Sequence, residues 1–365
     1  MDAGGPLGAD GIIVAIETSF DDSAIAAVDA AGTILAGYVA GRVELHREWG
    51  GVVPEIAARS HITDLPALYF ELKRHIDTKR IKAVAVTRGP GLVGSLLVGV
   101  NYAQGLSLGL GVPVMGLNHL EGHIVSPFLD AGDGNARRGR IIGEIPFPHI
   151  ALVVSGGNTL LVRANALGDY TTLGETLDDA GGELLDKIAV ALGRDYPGGA
   201  TIERLAAHAD AENPDTARWL ARHQLPVPMR ESRDLNFSYS GLKTAALRLM
   251  KAENITAGHP LEPAFCLALQ NALNESLFIK AAEALRDNPD CRTLTLSGGV
   301  AANSALCANF RSMLAESGVN VLVPHKPLAV DNAEMMAYLA WLIISARGAI
   351  PLDDEELDAE PGLRL

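Results

Sequence analysis

Apolar segments separated by short polar turns open each half of the chain. GIIVAIETS predicts a buried strand that ends in polar residues, and SAIAAVDAAGTILAGYV predicts two strands joined by an Ala-Ala-Gly turn. HIALVVSGGNTLLVRA repeats this order of strand, Gly-containing turn and strand. We interpret the repetition as a duplicated architecture, in which both halves begin with the same strand–turn–strand unit.

Strands and helices alternate after each of these units. IKAVAVTRGPG predicts a strand, SLLVGVNYAQGLSLGL a helix and VPVMGL a further strand. In the second half, CRTLTLSGGVAANSALCANFRSML predicts a strand, a Gly-Gly turn and a helix, and NVLVPH is strand-like. This alternation is typical of an α/β fold whose sheets contain parallel strands.

The length of 365 residues exceeds that of an average domain and predicts two lobes. We expect a disordered tail at 1–10, a first lobe at 11–128 plus 331–350, and a second lobe at 145–330. The polar, basic segment 130–146 predicts a loop between the lobes. The tail lacks the basic and apolar regions of a secretory signal, and the three cysteines form no CxxC pair, so we expect a cytoplasmic protein.

A long uncharged stretch between Gly89 and Leu120 raises the possibility of a membrane span. Asn101, Gln104 and Asn118, many glycines, and the two prolines Pro90 and Pro113 break the stretch into pieces of roughly 16 residues, shorter than the ~20 that a bilayer core requires. We therefore expect a helix buried in a large core and no membrane partner.

The net charge of −14 is the wrong sign for a protein that binds nucleic acid by itself. Basic clusters occur at 79–82 and 136–140, but such clusters are usually solvated loops. A polyanionic partner would therefore need a local basic patch or a helper subunit.

Two Gly-Gly turns, at 155–158 and 297–303, each follow an apolar strand. Glycines let backbone N–H groups approach an anion, and a helix N-terminus adds favourable charge, so the pair favours a nucleotide-phosphate site. We expect Gly156 to lie where a Cβ would block that approach and to need a positive φ. Neither turn matches GxGxxG or a P-loop, so a Rossmann dehydrogenase or P-loop NTPase is unsupported.

The segment HLEGH places His119 and His123 four residues apart, on one face of a predicted helix, where they can bind one metal ion. Glu121 is about 200° around the helix from His119 at the usual ~100° per residue, and should face away from the metal. A zinc protease would instead need its glutamate next to the first histidine. Two ordinary core or surface histidines remain the alternative.

Three acidic residues lie at the edges of predicted elements, and a fourth lies inside a predicted helix. Asp331 directly precedes the closing helix, where it could cap the helix or complete a two-histidine, one-carboxylate metal site with open positions. Asp21 and Asp22 follow the first strand and could hold a metal, orient a nucleophile or cap the turn. Asp186, inside a predicted helix, could reach a ribose hydroxyl or pair with a lysine.

These segments together resemble a known family, the TsaD family of tRNA threonylcarbamoyladenosine biosynthesis subunits, once described as O-sialoglycoprotein endopeptidases. The resemblance covers about residues 12–345. It is carried, in order, by IETSFDDS, TRGPGLVGSL, HLEGH, VSGGNT, DKIAVALGRDYPGG, FSYSGLKT, SGGVAAN and VDN. It implies an actin-like, sugar-kinase-like (ribonuclease-H-like) fold of two duplicated α/β lobes with a central cleft.

The resemblance also implies the activity and its residues. Members transfer a threonylcarbamoyl group from threonylcarbamoyl-AMP to the adenosine 3′ of the anticodon in tRNAs reading codons that begin with A. His119, His123 and Asp331 match the ligands of one iron (Fe²⁺) or zinc ion per subunit. The positions that match substrate contacts are Val153, Val154, Ser155, Gly156, Gly157, Asp186, Gly199 and Asn303.

Five positions depart from the family pattern. Phe20 stands where bacterial members usually have Cys, Asp22 where Glu is usual, and Asn158 in place of the bacterial His. Around Asp331 the usual Asp-Asn-Gly-Ala-Met becomes Asp-Asn-Ala-Glu-Met, with Ala333 at the glycine position. None of them removes a proposed metal ligand, but the shorter side chain of Asp22 changes its reach.

We therefore expect an acyltransferase that acts on tRNA. In this interpretation Asp21 or Asp22 is the catalytic carboxylate that orients the amine or accepts its proton. The resemblance implies a TsaB-like paralogue and a TsaE-like ATPase as partners. Three alternatives stay open: a metalloprotease, a sugar or acetate kinase of the same fold, and a non-catalytic paralogue that acts as a scaffold.

Overall fold

The computed structural model describes residues 6–130, 140–141, 145–351 and 357–365. The chain divides into two compact units, and each is built on a five-stranded mixed sheet. Unit 1 comprises Met1–His46, Val52–Ile145 and Pro324–Leu365, and unit 2 comprises Arg47–Gly51 and Pro146–Val323.

The sheet of unit 1 has the strand order β3-β2-β1-β4-β5. Strands β1 to β3 form an antiparallel meander, whereas β4 and β5 run parallel to β1. The strands are β1 (Ile12–Glu17), β2 (Ser23–Asp29), β3 (Ile34–Ala40), β4 (Ile81–Gly89) and β5 (Val114–Asn118).

The sheet of unit 2 has the equivalent order, β10-β9-β8-β11-β12, and the same mixture of an antiparallel meander and two parallel strands. A separate two-stranded pair joins β6 (Leu129–Asp130) to β7 (Arg140–Ile141). The strands of the second sheet are β8 (His149–Val154), β9 (Thr159–Ala166), β10 (Asp169–Glu175), β11 (Thr293–Ser297) and β12 (Asn320–Leu322).

Helices connect and cover the strands within each unit. The described α-helices are α1 (Val43–Arg47), α2 (Pro54–Leu72), α3 (Val93–Leu110), α4 (His119–Val125), α5 (Gly181–Ala191), α6 (Gly199–Ala207), α7 (Pro214–Arg222), α8 (Ser240–Ala252), α9 (Glu262–Asp287), α10 (Ser304–Leu314), α11 (Lys326–Ala329) and α12 (Ala333–Arg347). Short 3₁₀ turns occupy Thr78–Arg80, Ser126–Phe128 and Gly299–Ala302.

The strands and helices predicted from the apolar segments are confirmed. Both predicted hairpins form, as β2–β3 and β8–β9, and the matching strand orders confirm the duplication. Strand β10, whose alternate positions are largely exposed, and the buried helix α9 were not among the predicted elements. Segment 131–139 of the predicted loop, with most of the basic cluster at 136–140, lies outside the described residues.

Helix α3 is long and apolar enough to cross a membrane by length and composition, which is weak evidence for such a role. One face of the helix packs on the sheet, where Ser95 O accepts a hydrogen bond from Thr18 Oγ1 (3.0 Å). The other face is open, since Leu97 is 40% and Leu108 is 85% exposed. The expectation of a helix buried in a large core therefore holds for one face of α3 and is wrong for the other, because the apolar residues lie on both faces.

Candidate functional site

Helix α4 brings His119 and His123 together at the end of strand β5. It begins directly after Asn118, whose Oδ1 accepts a hydrogen bond from Leu120 N (2.8 Å) and caps the first turn. The spacing of four residues puts both imidazoles on one face, with ring centroids 4.7 Å apart, and both side chains are buried. The helical placement predicted from HLEGH is confirmed.

Asp331 reaches the same point from the N-terminus of α12. The helix is capped by the next residue, Asn332, whose Oδ1 accepts a hydrogen bond from Met335 N (2.8 Å). Asp331 is therefore not needed as a cap, and its Oδ1 lies 3.1 Å from His123 Nε2 and 3.4 Å from His119 Nε2.

The three side chains fit a metal ion. One potential ligand atom from each of His119, His123 and Asp331 lies within 4.8 Å of the other two. Two imidazoles and one carboxylate suit Fe²⁺ and Zn²⁺, and a set of three leaves coordination positions for substrate. The group could therefore hold one ion, and the ligand set is the one that the family resemblance implies.

Glu17, which was not among the predicted site residues, supports this group from strand β1. Its carboxylate is buried and accepts hydrogen bonds from Thr87 Oγ1, from Ser19 N (2.5 Å) and from His119 Nδ1 (3.1 Å). A carboxylate on the far nitrogen of a metal-binding histidine fixes its tautomer and ring orientation. The available signal was an acid at the end of an apolar strand, but its polar surroundings indicated only a turn.

The charges of the group depend on one another. Burial alone would lower the pKa of His119, but the carboxylates of Glu17 and Asp331 outweigh it and raise that pKa to about 9. Burial likewise opposes ionisation of Glu17, yet the charge and hydrogen bond of His119 hold the pKa of Glu17 below its usual value. The metal-free site therefore keeps a proton between two carboxylates, and a bound cation would replace it.

Glu121 is partly buried and is not part of the His119–His123–Asp331 group. The protease geometry expected of an HExxH helix is therefore missing from this helix, as its spacing indicates. The substitution Glu121→Gln should accordingly leave any metal-dependent activity of the chain at the level of the parent. Incubation of a glycoprotein with the purified chain, followed by gel analysis, should show no cleavage. Cleavage that Glu121→Gln abolishes would contradict this.

Asp22 lies in the turn after β1, with its Oδ1 buried and without a hydrogen-bond partner among the described residues. Burial raises the pKa of Asp22 to about 7, and the nearby charges of Asp21 and Asp331 add to this, against a hydrogen bond from the backbone of Arg42. A carboxyl with such a pKa can accept a proton near neutral pH.

Buried polar residues of α2 hold this turn. His61 Nδ1 lies 2.7 Å from Ser23 Oγ, and its Nε2 lies 3.1 Å from Phe20 O, which also accepts from Ser95 Oγ (2.9 Å). Asp64 forms an ion pair with Arg42, the residue whose backbone contacts Asp22. At the position of Phe20 the described hydrogen bonds involve the backbone carbonyl, so they do not depend on whether Phe or Cys stands there.

The turn Ser155–Asn158 joins β8 to β9. Ser155 N donates to Asn158 O (2.8 Å), and Asn158 N donates to Ser155 Oγ (3.1 Å), so the turn is closed by its own ends. Gly156 and Gly157 between them are exposed, and a Cβ on either would meet no atom within 4 Å. Gly156 does not have a positive φ, so the expectation that it needs one is wrong, because the hairpin is closed without it.

Neighbouring glycines bring the other elements of unit 2 against this strand end. Gly298 has φ 84°, and a Cβ there would strike the backbone of Val154, so this position requires glycine. Gly182 N, in the first turn of α5, donates to Ser155 O (3.1 Å). Val153 and Val154 are buried as whole residues in the central strand, so the described structure does not expose these two predicted substrate contacts.

Asp186 and Gly199, two of the predicted substrate contacts, lie together. The carboxylate of Asp186 accepts hydrogen bonds from Gly198 N (2.6 Å) and from the backbone of Gly199. Burial nevertheless raises the pKa of Asp186. Asp186 thus shapes the turn before α6, so its removal would disturb the turn as well as any contact with ribose.

Asn303, the last predicted substrate contact, is buried and engaged at both ends of its side chain. Its Oδ1 accepts from Leu306 N (3.0 Å), which caps α10, and its Nδ2 donates to Gln270 Oε1 (2.8 Å). The amide is therefore held rigidly, and a ligand would share its atoms with these partners.

The departure at Ala333 and Glu334 has a structural counterpart in strand β3. Glu334 is buried in the first turn of α12, where the helix dipole favours an acid. A Cβ at Gly37 would strike the Glu334 carboxylate, so the glycine provides the space that this larger side chain occupies.

Two solved structures resemble the chain in fold. HypF of T. kodakarensis matches with a TM-score of 0.58 at 13% identity, over 92% of this chain and 48% of HypF. Component A of the (R)-2-hydroxyglutaryl-CoA dehydratase of Acidaminococcus fermentans matches with a TM-score of 0.50 at 11% identity, over 92% and 99% of the two chains. At these identities the likeness concerns the fold, and it confirms the predicted actin-like α/β class.

The sequence comparisons identify the family. A family model described as “TsaD: tRNA N6-adenosine threonylcarbamoyltransferase” matches residues 33–338. The tRNA N6-adenosine threonylcarbamoyltransferase of Anaeromyxobacter dehalogenans (strain 2CP-C) is 41% identical over 359 residues, 97% of this chain and 99% of the relative. The enzyme of the same name from Geobacter sulfurreducens is 39% identical over 346 residues, 94% of this chain and 95% of the relative. The chain belongs to the TsaD family of tRNA N6-adenosine threonylcarbamoyltransferases.

Proposed function

We propose that the chain transfers the threonylcarbamoyl group of threonylcarbamoyl-AMP to N6 of the adenosine 3′ of the anticodon, in tRNAs that read codons beginning with A. The observation that carries the proposal is the near-full-length match to transferases of this name in a chain whose His119, His123 and Asp331 converge. A scaffold paralogue would have no need for that group, and a sugar or acetate kinase would use Mg²⁺ with oxygen ligands.

His119, His123 and Asp331 would hold one Fe²⁺ or Zn²⁺ ion, with Glu17 orienting His119. When bound, the ion acts as a Lewis acid toward the carbonyl of the threonylcarbamoyl group. Two nitrogen ligands and one oxygen ligand suit either ion, and both stay within the proposal.

The Gly-rich turns of unit 2 would bind the AMP portion of the donor. Gly156 and Gly157 present exposed backbone to solvent, and a Cβ-free surface lets phosphate oxygens approach their N–H groups. Val153, Val154 and Ser155 would position this backbone. Further along unit 2, Asp186, Gly199 and Asn303 would contact the nucleoside.

Asp22 would accept the proton that the adenosine amine loses as it attacks the carbonyl, and AMP would leave. Its pKa of about 7 allows it to be ionised before the attack and to take up a proton afterwards. Asp21 would keep the pKa of Asp22 raised through its negative charge.

Incubation of the chain with unmodified tRNA, threonine, bicarbonate and ATP tests the function, with the donor-making enzyme and partner subunits supplied. Nucleoside analysis by mass spectrometry should detect threonylcarbamoyladenosine, and omission of the chain should abolish it. Unmodified tRNA in the complete mixture would overturn the proposal.

The acidity of the chain favours the use of partner subunits. A net charge of −14 disfavours tRNA binding by this chain alone. The family resemblance implies a TsaB-like paralogue and a TsaE-like ATPase, and we propose these as the subunits that assist it. We propose a cytoplasmic location, where tRNA is found, and no membrane partner.

Substitution of Gly156 by Val tests the phosphate assignment. The new side chain would project into open space and cause no clash within the chain, so the variant should fold and keep its metal. It should bind the donor at least about tenfold more weakly, since each hydrogen bond to a charged group contributes about 1.5–3 kcal/mol. Donor binding by calorimetry, alongside the tRNA assay, measures this.

Gly105→Val is the matched control, because it adds the same bulk to open space on α3 in unit 1. It should bind the donor as the parent does. If Gly156→Val folds, keeps its metal and modifies tRNA at the parent rate, the turn is not the donor site.

A further inference from the structure

Residues 357–365, here named the C-terminal segment, lie against the sheet of unit 1. Gln104 Nε2 donates to Leu357 O (2.9 Å), and Leu357 is buried in the core of this unit. Glu360 N donates to Arg88 O (2.7 Å), and the side chains of these two residues form an ion pair. The segment is therefore fixed by backbone and side-chain contacts alike.

Two glycines of the sheet make room for this segment. A Cβ at Gly89 would strike the carbonyl oxygen of Glu360, and a Cβ at Gly116 would strike the side chain of Leu357. Neither glycine has a positive φ, so close approach rather than backbone conformation explains them. The ends of β4 and β5 are thus shaped to receive the C-terminal segment.

The segment then makes two contacts that lead to the metal group, one with the loop after β4 and one with Asn118 at the end of β5. Gly91 N donates to Pro361 O (3.2 Å), and the neighbouring Leu92 N donates to Ser19 O (2.8 Å). Ser19 Oγ in turn lies 3.2 Å from His119 Nδ1. One chain of hydrogen bonds therefore runs from the segment, through the loop after β4, to the turn beside His119.

The second contact is made by Asn118, which is 8% exposed. Its Oδ1 caps α4 by accepting from Leu120 N, whereas its Nδ2 donates to Arg364 O (3.0 Å). The same amide therefore joins the C-terminal segment to the first turn of the helix that carries His119 and His123.

We propose that residues 357–365 are a positioning element of the site, which fixes the N-terminus of α4 through Asn118 and the turn beside His119 through Gly91. A helix of two turns that holds two metal ligands needs such support, because short helices are not stable by themselves. The link to a metal ion rests on the proposed function. The hydrogen bond from Asn118 Nδ2 to Arg364 O, here named the tether, does not depend on that function.

Asn118→Asp separates the tether from helix capping. Asp and Asn cap helices equally well, so the variant keeps the acceptor for Leu120 N, but it loses the Nδ2 donor to Arg364 O. In the metal-free protein, hydrogen exchange of the Leu120 amide and of the α4 amides should become about three- to tenfold faster, the factor that matches one net hydrogen bond.

A second variant lacking 357–365 completes a double-mutant cycle. Once the segment is removed, Asn118→Asp should cause no further acceleration, because the acceptor at Arg364 is gone. If the shortened chain does not fold, Arg88→Ala takes its place in the cycle, since it breaks the ion pair that holds Glu360. Asn213→Asp, the same change at the N-cap of α7, should leave α4 exchange unchanged.

The rate at which Co²⁺ dissociates into excess chelator, monitored through the Co²⁺ absorption spectrum, gives the metal readout. This rate should increase by the same factor in Asn118→Asp. A parent that binds no Co²⁺ would overturn the metal assignment, while the exchange data would still decide the tether. Parent-like α4 exchange in Asn118→Asp, or effects that simply add in the cycle, would overturn the tether.

Discussion

The double variant His119→Ala, His123→Ala should be purified with almost no iron or zinc, while the parent should contain close to one ion per chain. The change removes two of three ligands, whereas loss of a single outer partner of a metal site already lowers affinity about 10–100-fold. Metal affinity should therefore fall by more than about 100-fold. tRNA modification should fall with it, since Asp331 cannot hold the ion alone. Element analysis and the tRNA assay measure the two effects.

The matched control is His75→Ala, His208→Ala, which removes the same number of imidazoles from exposed positions outside the group. It should keep the metal content and activity of the parent. Equal metal content in both double variants would show that the ion, if there is one, binds elsewhere.

The substitution Asp22→Asn should lower the rate of tRNA modification by about 10²–10⁴-fold, the usual contribution of a general base. In the parent, kcat/KM should rise with pH below about 7 and level off above it, because the carboxylate must be ionised to accept a proton. The variant should lose this acid limb. Rates between pH 5.5 and 8.5 measure the effect.

Asp21→Asn provides the comparison for this prediction. Removing the charge of Asp21 should lower the pKa of Asp22 and move the acid limb to lower pH, since the two carboxylates repel each other. If Asp22→Asn keeps the parent rate while Asp21→Asn abolishes it, Asp21 is the proton acceptor instead.

The substitution Asp22→Asn should have the opposite effect on stability. Because burial raises the pKa of Asp22 from the usual 3.8 to about 7 in the folded chain, the folded state binds this proton more tightly than the unfolded state. Stability is thus lost as pH rises from about 4 to 7. At pH 8, Asp22→Asn should unfold with a free energy up to about 4 kcal/mol higher than the parent, at ~1.36 kcal/mol per pKa unit. At pH 4 the two should match.

The strand pattern and the helix of HLEGH were predictable because both depend on local signals. Hairpins follow from apolar runs beside turn residues, and the spacing of His119 and His123 alone defines a shared helix face. The proximity of Asp331 to these histidines depends on how the closing helix α12 packs, and no local sequence signal specifies that packing. The assignment of Asp331 to the same metal site came from the resemblance to the family.

Other features of the site could not be read from the sequence because they arise from tertiary contacts. The role of Glu17 depends on its hydrogen bond with His119, which lies 102 residues later in the chain. The tether likewise depends on the carbonyl group of Arg364, far from Asn118 in sequence. Asp186 and Asn303 were predicted as ligand contacts, yet both also hold backbone turns in place. Side chains of this kind carry structural roles that motif position does not reveal.

The fit of Glu334 against Gly37 limits how the family can change in evolution. Any side chain at position 37 would need the volume that the Glu334 carboxylate fills, and a small residue at position 334 would leave that volume empty. A lineage that acquired one change first would pass through a clashing or a hollow intermediate. The two positions, far apart in the chain, are therefore expected to covary among relatives, with the order of substitutions restricted: glycine first, glutamate second.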